Sequence, residues 1–191
     1  ARLLHLARLF VRLRQAAGTA AKLARARGFR ALILPVLADR KVGSIEAVAQ
    51  ALIEGAVLAL YRCDKYRQVP KHEQSKQVSH LALRVERAGQ AAEARRGAQR
   101  AQVICEAVYL VRDLINGPPN LITPTYLADT AKRLARTHRL KCQVLPYATL
   151  KRRGFGGIAG VAQGSHHPAQ FIILEYRPAK ARGTVALCGK G

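Results

Sequence analysis

The sequence has few aromatic residues and no long apolar segments. It contains no tryptophan and no methionine, and only 6 tyrosines and 4 phenylalanines among 191 residues. Stacking platforms for single-stranded nucleic acid therefore have few side chains to be built from. No uninterrupted apolar run approaches the ~18 residues of a transmembrane helix. We therefore expect no transmembrane helix, and we do not expect a protein that recognises a particular nucleic-acid sequence.

Acidic residues are also scarce. The chain has 11 Asp and Glu against 33 Lys and Arg, which gives a formal net charge of +22. Such a charge attracts phosphate backbones, anionic lipid headgroups or acidic partners, and it concerns association rather than fold. Two interpretations stay open: a functional polyanion-binding surface, or a basic part of a protein whose acidic residues lie elsewhere. The positive charges are spread along the whole chain, which predicts non-specific contacts with nucleic acid.

Cysteines are few and far apart. The four, Cys63, Cys105, Cys142 and Cys188, form no CxxC pair, so neither a zinc ribbon nor a disulfide scaffold is indicated. Three of them lie in apolar surroundings, where a small buried thiol is the simpler interpretation. We infer a reducing compartment.

The amino-terminal stretch ARLLHLARLFVRLRQ admits two interpretations. It is rich in arginine, free of acid and amphipathic, as mitochondrial presequences are. Its apolar residues, however, keep helical spacing and run directly into the following sequence, which favours a helix over about residues 3–27. The chain does not begin with methionine, and we expect that its true start lies upstream.

The remaining pattern alternates helices and strands. FRALILPVL predicts a buried strand, GSIEAVAQALIEGAVLALYRCDKY a helix capped by Ser44, and residues 81–85 a half-buried strand. Residues 62–76 predict a surface loop, and a long helix is expected from Gly89 to about Asn116. After Gly117, Thr123 and Pro124 restart a helix. CQVLP, IAGVA, FIILEY and TVALC are then predicted as strands, with a short helix at YATLKRRG.

Lys190 is the candidate functional residue that this order singles out. It would lie at the carboxyl end of the strand TVALC, where ligands bind in open α/β sheets. A phosphate-binding loop is rejected, because five residues rather than four separate Gly183 from Gly189, and Gly191 replaces the Ser or Thr that holds magnesium.

The other candidate groups have simpler explanations. His166 and His167 are adjacent on an exposed loop, where their side chains diverge. Ser165 lacks the following glycine of a nucleophile elbow. Glu54 and Asp64 are expected to balance nearby positive charge rather than act as a catalytic pair.

Several stretches in order resemble the leucyl aminopeptidase family, the two-metal cytosolic exopeptidases. IEGAVLALYRCDKY resembles the end of that family's smaller N-terminal domain, and VYLVRDLINGPPNLITPTYLAD its linker helix and the entry to its catalytic domain. FGGIAGVAQGSHHPAQFIILEY and TVALCGKG resemble the first catalytic strands and the strand before the first metal ligand. The resemblance implies an α/β fold: the end of a small α/β N-terminal domain (1–88), a linker helix (89–116) and the beginning of an α/β/α catalytic domain (117–191).

What the resemblance implies about the site concerns one residue. In the family the lysine of GKG is a direct ligand to one of two divalent metal ions, zinc or manganese, and on this sequence that residue is Lys190. The family's carboxylate ligands follow it, the nearest five residues later, beyond Gly191. Members of the family have strands before the first helix of this chain and a long catalytic region after the position of Gly191. We therefore expect a piece truncated at both ends.

Two functional hypotheses result. In the first, the chain is part of a metal-dependent aminopeptidase that releases N-terminal amino acids from peptides, inactive by itself; the family implies a cytoplasmic hexamer, with a mitochondrial location as the alternative. In the second, it is a non-catalytic, aminopeptidase-like basic protein that binds nucleic acid or serves as a structural subunit of a large assembly.

Overall fold

The computed structural model describes residues 2–37, 42–74 and 76–190. The chain divides into two compact units, residues 1–116 and 117–191. The amino-terminal unit contains, in chain order, α1 (Arg2–Ala26), β1 (Ala31–Pro35), α2 (Ile45–Leu60), α3 (Lys71–Gln74), β2 (His80–Arg84), a 3-10 turn (Ala88–Gln90) and α4 (Ala91–Asn116). None of the described helices combines the length and apolar character that a membrane span requires.

Small residues form much of the core of the amino-terminal unit. Strands β1 and β2 pair in parallel, with Ala31 opposite His80 and Pro35 opposite Arg84. Helices α1 and α2 pack on one face of these strands, and nine buried residues form the core cluster: Ala17, Ala21, Leu34, Val36, Val48, Ala49, Leu52, Ala56 and Ala94. Because five of the nine are alanines, the helices approach one another closely.

Two glycines mark where the helices cross most closely. A Cβ added at Gly55 of α2 would collide with backbone atoms of Arg14 in α1. A Cβ added at Gly97 of α4 would collide with the carbonyl oxygen of Glu46 in α2. Glycine at position 55 therefore permits the close packing of α2 against α1.

Side chains from two other helices donate hydrogen bonds to the carbonyl groups at the carboxyl end of α2. The last carbonyl groups of a helix have no partner within it. Here Arg25 of α1 donates to the Leu60 oxygen at 3.1 Å and Arg112 of α4 to the Leu58 oxygen at 2.8 Å, while Tyr109 donates to the Val57 oxygen. The two guanidinium charges also interact favourably with the negative end of the helix dipole. These contacts therefore stabilise the packing of α1 and α4 against α2.

The carboxyl-terminal unit contains α5 (Pro124–His138), β3 (Lys141–Pro146), α6 (Tyr147–Arg152), α7 (Gly156–Ala162) and β4 (Gln170–Glu175). Strands β3 and β4 are antiparallel, with Cys142 opposite Leu174. Thr123 caps α5 by accepting from the Tyr126 N–H at 3.3 Å, and the helix ends at Arg139 in a left-handed conformation, φ 55°. The predicted restart of a helix at Thr123 and Pro124 is confirmed.

Two of the strands predicted in this unit are wrong. IAGVA lies within α7, whose first turn is closed by the Ala159 N–H donating to the Phe155 oxygen at 3.0 Å. Short apolar runs satisfy both periodicities, and here the local hydrogen bonds favour the helix. TVALC is not a strand either: residues 177–190 have no regular secondary structure, because no described strand lies beside them to complete a ladder.

Two predictions in the amino-terminal unit need smaller corrections. The strand predicted as buried is covered on one face only, since Leu34 is buried whereas Ile33 is 64% exposed. Only one layer of helices packs on these two strands within the described part of this unit. The predicted loop at 62–76 contains one helical turn, α3.

Candidate metal site

Lys190 lies in the irregular segment that follows β4. Its side chain is exposed, as are the apolar residues just before it: Val185 is 87% and Leu187 is 94% exposed. The segment therefore packs against nothing in the described part of its unit. The strand predicted to end just before Lys190 is not formed. Gly191 lies outside the described residues.

The described residues do not suit two divalent metal ions. Zinc is bound by three or four cysteine, histidine or carboxylate ligands, and an amine binds a metal only after losing its proton. Within residues 2–37, 42–74 and 76–190, no three His, Cys, Asp or Glu side chains lie close enough to hold a metal ion. Lys190 alone supplies one nitrogen, so the remaining ligands would have to come from outside the described residues.

The adjacent histidines form no site of their own. His166 and His167 are both exposed on the turn after α7. The His167 N–H donates to Ser165 Oγ at 3.1 Å, which closes the turn through the serine. The interpretation of an exposed loop pair is confirmed.

Glu54 and Asp64 also balance positive charge, as expected. Arg14 Nη2 lies 2.6 Å from Glu54 Oε2, and Gln50 donates to Glu54 Oε1 at 2.7 Å. Asp64 Oδ2 lies 2.7 Å from Arg62 Nε, and Arg62 also pairs with Glu73 at 2.7 Å. The hydrogen bond to Glu73 raises the pKa of Arg62 further above its ordinary value. Each carboxylate is engaged separately, so they do not form a catalytic pair.

Cys105 is the one thiol among the four cysteines that is fully buried. All four are free; Cys63 and Cys142 are half-buried, and Cys188 is exposed. Burial raises the pKa of the Cys105 thiol from 9.0 to about 11. A thiol that stays protonated is a poor nucleophile and a poor metal ligand, so Cys105 belongs to the packing of α4.

The shifted pKa of Cys105 predicts a loss of stability in alkali. The folded state holds its proton up to about pH 11, whereas the unfolded chain releases it near pH 9, so the stabilisation is complete below pH 9 and falls between the two values. From pH 8 to pH 11, the wild type should lose about 2 kcal/mol more of its free energy of unfolding than Cys105→Ala does. Urea denaturation under a reducing agent measures this. Cys63→Ala is the control; equal losses in wild type and Cys105→Ala would contradict the prediction.

Family models match most of the chain in two pieces. The N-terminal domain of the cytosol aminopeptidase family matches residues 10–70, and the catalytic domain of the same family matches residues 109–191. Together they cover more than half of the chain, in the order that the resemblance implied.

Curated relatives carry the same description. A probable cytosol aminopeptidase of Nitrosococcus oceani is 37% identical over 163 residues, which are 84% of this chain and 32% of that protein. A probable cytosol aminopeptidase of Roseiflexus castenholzii is 38% identical over 162 residues, with the same coverage. The chain thus spans about a third of the length of these relatives.

Solved structures are similar as well. The bottromycin maturation enzyme BotP in complex with Mn matches with a TM-score of 0.72 and 32% identity, over 87% of this chain and 33% of that one. A mutant of tomato leucine aminopeptidase matches with a TM-score of 0.76 and 25% identity, over 90% and 34%. These matches confirm the predicted α/β class and give no support to a non-catalytic nucleic-acid-binding or structural protein. The chain belongs to the cytosol aminopeptidase family.

Proposed function

We propose that this chain forms part of a metal-dependent aminopeptidase that releases N-terminal amino acids, such as leucine, from peptides. The observation that carries the proposal is the ordered match to both domains of one peptidase family, residues 10–70 and 109–191. Residues 1–88 are then the end of the N-terminal domain, 89–116 the linker helix, and 117–191 the beginning of the catalytic domain.

Lys190 is the residue of this chain that we assign to the metal centre. Its exposure leaves the amine accessible to groups outside the described residues. When bound, the two divalent ions would supply Lewis-acid polarisation of the scissile carbonyl. Manganese is supported by the Mn complex of BotP, with zinc as the alternative. The contribution of Lys190 is one neutral nitrogen, which requires that it lose its proton first.

The assembly and location that go with this function are a hexamer in the cytoplasm. The family description as cytosol aminopeptidases supports the location, and the mitochondrial alternative rests on the arginine-rich amino-terminal stretch alone. Size-exclusion chromatography with light scattering measures the assembly.

The 191-residue chain by itself should not hydrolyse leucine amides in the presence of manganese or zinc. One lysine nitrogen cannot hold two cations without carboxylates. Turnover of leucine p-nitroanilide is measured with each metal added and with a chelator, using Lys190→Met as the matched variant. Metal-stimulated turnover that Lys190→Met removes would show that this chain holds a complete site. It would contradict the proposal that the other metal ligands come from outside the described residues.

The net charge of +22 adds an expected property of the surface. Weak binding to duplex DNA should occur through release of counterions, so its affinity should fall steeply between low and physiological salt and be the same for two unrelated sequences. Fluorescence anisotropy measures this. A preference for one sequence, or no dependence on salt, would contradict generic phosphate contacts.

A further inference from the structure

A cleft in the amino-terminal unit has the dimensions of a small-molecule site. It lies between α2, α4 and the segment 77–81, and its volume is about 780 Å³. Small-molecule sites commonly occupy about 300–1,000 Å³ and are mostly apolar, with a few polar groups that orient the ligand. Apolar side chains from α2 and β2 line this cleft: Ile53, Val57, Leu60 and Leu81.

The charged groups in the cleft are predominantly positive. Three guanidinium groups line it, those of Arg25, Arg62 and Arg95, against the carboxylates of Asp64 and Glu106. Asp64 is already paired with Arg62 at 2.7 Å, and Glu106 accepts a hydrogen bond from Gln102 at 2.9 Å.

Arg95 stands apart from the other two arginines. Arg25 donates to the Leu60 carbonyl oxygen, and Arg62 is held by its two carboxylates. The guanidinium of Arg95 is exposed and has no hydrogen bond or ion pair with any residue in the described ranges. An unpaired guanidinium beside an apolar cleft is suited to a planar anion, because its donors match a carboxylate in a bidentate arrangement.

The remaining titratable groups of the cleft add no negative charge near neutral pH. Burial raises the pKa of the Cys105 thiol to about 11 and the pKa of the Tyr109 phenol above its ordinary value. Both therefore face the cleft as neutral groups and do not offset the excess of three arginines over two carboxylates in its lining.

We propose that this cleft binds a small organic monocarboxylate with an apolar body, whose carboxylate pairs with Arg95 while its body lies on the apolar floor. One unpaired guanidinium fits one carboxylate, and the apolar floor favours an aromatic or branched aliphatic body over a polar one. The site lies wholly within the unit 1–116 and does not include Lys190, so it goes beyond the proposed peptidase function.

The test uses the 191-residue chain and a fluorinated probe, 4-(trifluoromethyl)benzoate, followed by ¹⁹F NMR. Its neutral counterpart, 4-(trifluoromethyl)benzyl alcohol, has the same apolar body without the charge. We expect the benzoate to bind at least tenfold more tightly than the alcohol, and Arg95→Gln to weaken benzoate binding at least tenfold. Arg12→Gln, which removes the same charge from an exposed position of α1 outside the cleft, should change the affinity less than twofold.

A second variant keeps the test decisive if Arg95→Gln does not fold. Ala98 lines the cleft, and Ala98→Phe places a ring in it without changing the charge, so it should also weaken benzoate binding at least tenfold. Circular dichroism checks that each variant is folded. The proposal is overturned if the wild type does not bind the benzoate, if it binds the alcohol equally well, or if a folded Arg95→Gln or Ala98→Phe binds as the wild type does.

Discussion

Replacing Arg14 by methionine should lower the free energy of unfolding by about 3 kcal/mol. Arg14 donates from Nε to Glu54 Oε2 at 2.7 Å, and its Nη2 lies 2.6 Å from the same oxygen. The Glu54 side chain is only 6% exposed, so removal of the guanidinium would leave a buried carboxylate with Gln50 as its described partner. Leaving a buried charge uncompensated costs more than the pair itself contributes. Chemical denaturation measures the loss.

Two further variants test the cause of that loss. Arg12→Met makes the same substitution at an exposed position of α1 and should change the stability by less than about 0.5 kcal/mol. The double variant Arg14→Met/Glu54→Leu removes both charges and should recover most of the stability, because an apolar replacement of a buried pair is often neutral. If the double variant is as unstable as Arg14→Met, the loss comes from packing and not from the unpaired carboxylate.

Replacing Gly97 by alanine should lower the free energy of unfolding by about 2 kcal/mol, within the range measured for overpacked cores. The added Cβ would meet the Glu46 carbonyl oxygen and lie 3.0 Å from the Gln50 nitrogen, and both are backbone atoms of α2. Helix α4 would have to move away from α2, which opposes the gain of ~1 kcal/mol that alanine brings to a helix interior.

Gly89→Ala is the matched control for this prediction. A Cβ at Gly89 would have no neighbour within 4 Å, so the substitution should be neutral or slightly stabilising. Differential scanning calorimetry compares the two variants. A Gly97→Ala protein as stable as the Gly89→Ala protein would contradict the close crossing of α2 and α4.

Elements with local signals could be predicted from the sequence. Ser44 starts α2 and accepts from the Ala47 N–H at 3.2 Å, and Thr123 with Pro124 starts α5. In both cases the capping side chain and the helix it caps lie within three residues of one another, so the pattern contains the whole interaction. Gly55 could be assigned a packing role because glycine inside a helix needs a compensating contact.

Elements that depend on distant partners could not be predicted in the same way. TVALC has the composition of a strand, but a strand forms only beside another, and Val185 and Leu187 are exposed here. The side chains that donate hydrogen bonds to the last carbonyl groups of α2 are distant in the sequence, since Arg112 lies 54 residues from Leu58. The cleft beside Arg95 combines side chains from α1, α2, β2 and α4, and no local pattern brings these together. The place of Lys190 after TVALC makes it a candidate, but its role as a metal ligand comes from the resemblance and remains a prediction.

The most direct test of the aminopeptidase assignment is the coding sequence across the codon for Gly191. The curated relatives are about three times as long as this chain, and the resemblance implies a carboxylate five residues after the lysine. We predict that the reading frame continues and that the fifth residue after Lys190 is aspartate, which would supply the ligand that the described residues lack. A stop codon after Gly191, or a residue without a coordinating side chain at that fifth position, would contradict the assignment of Lys190 to a metal centre.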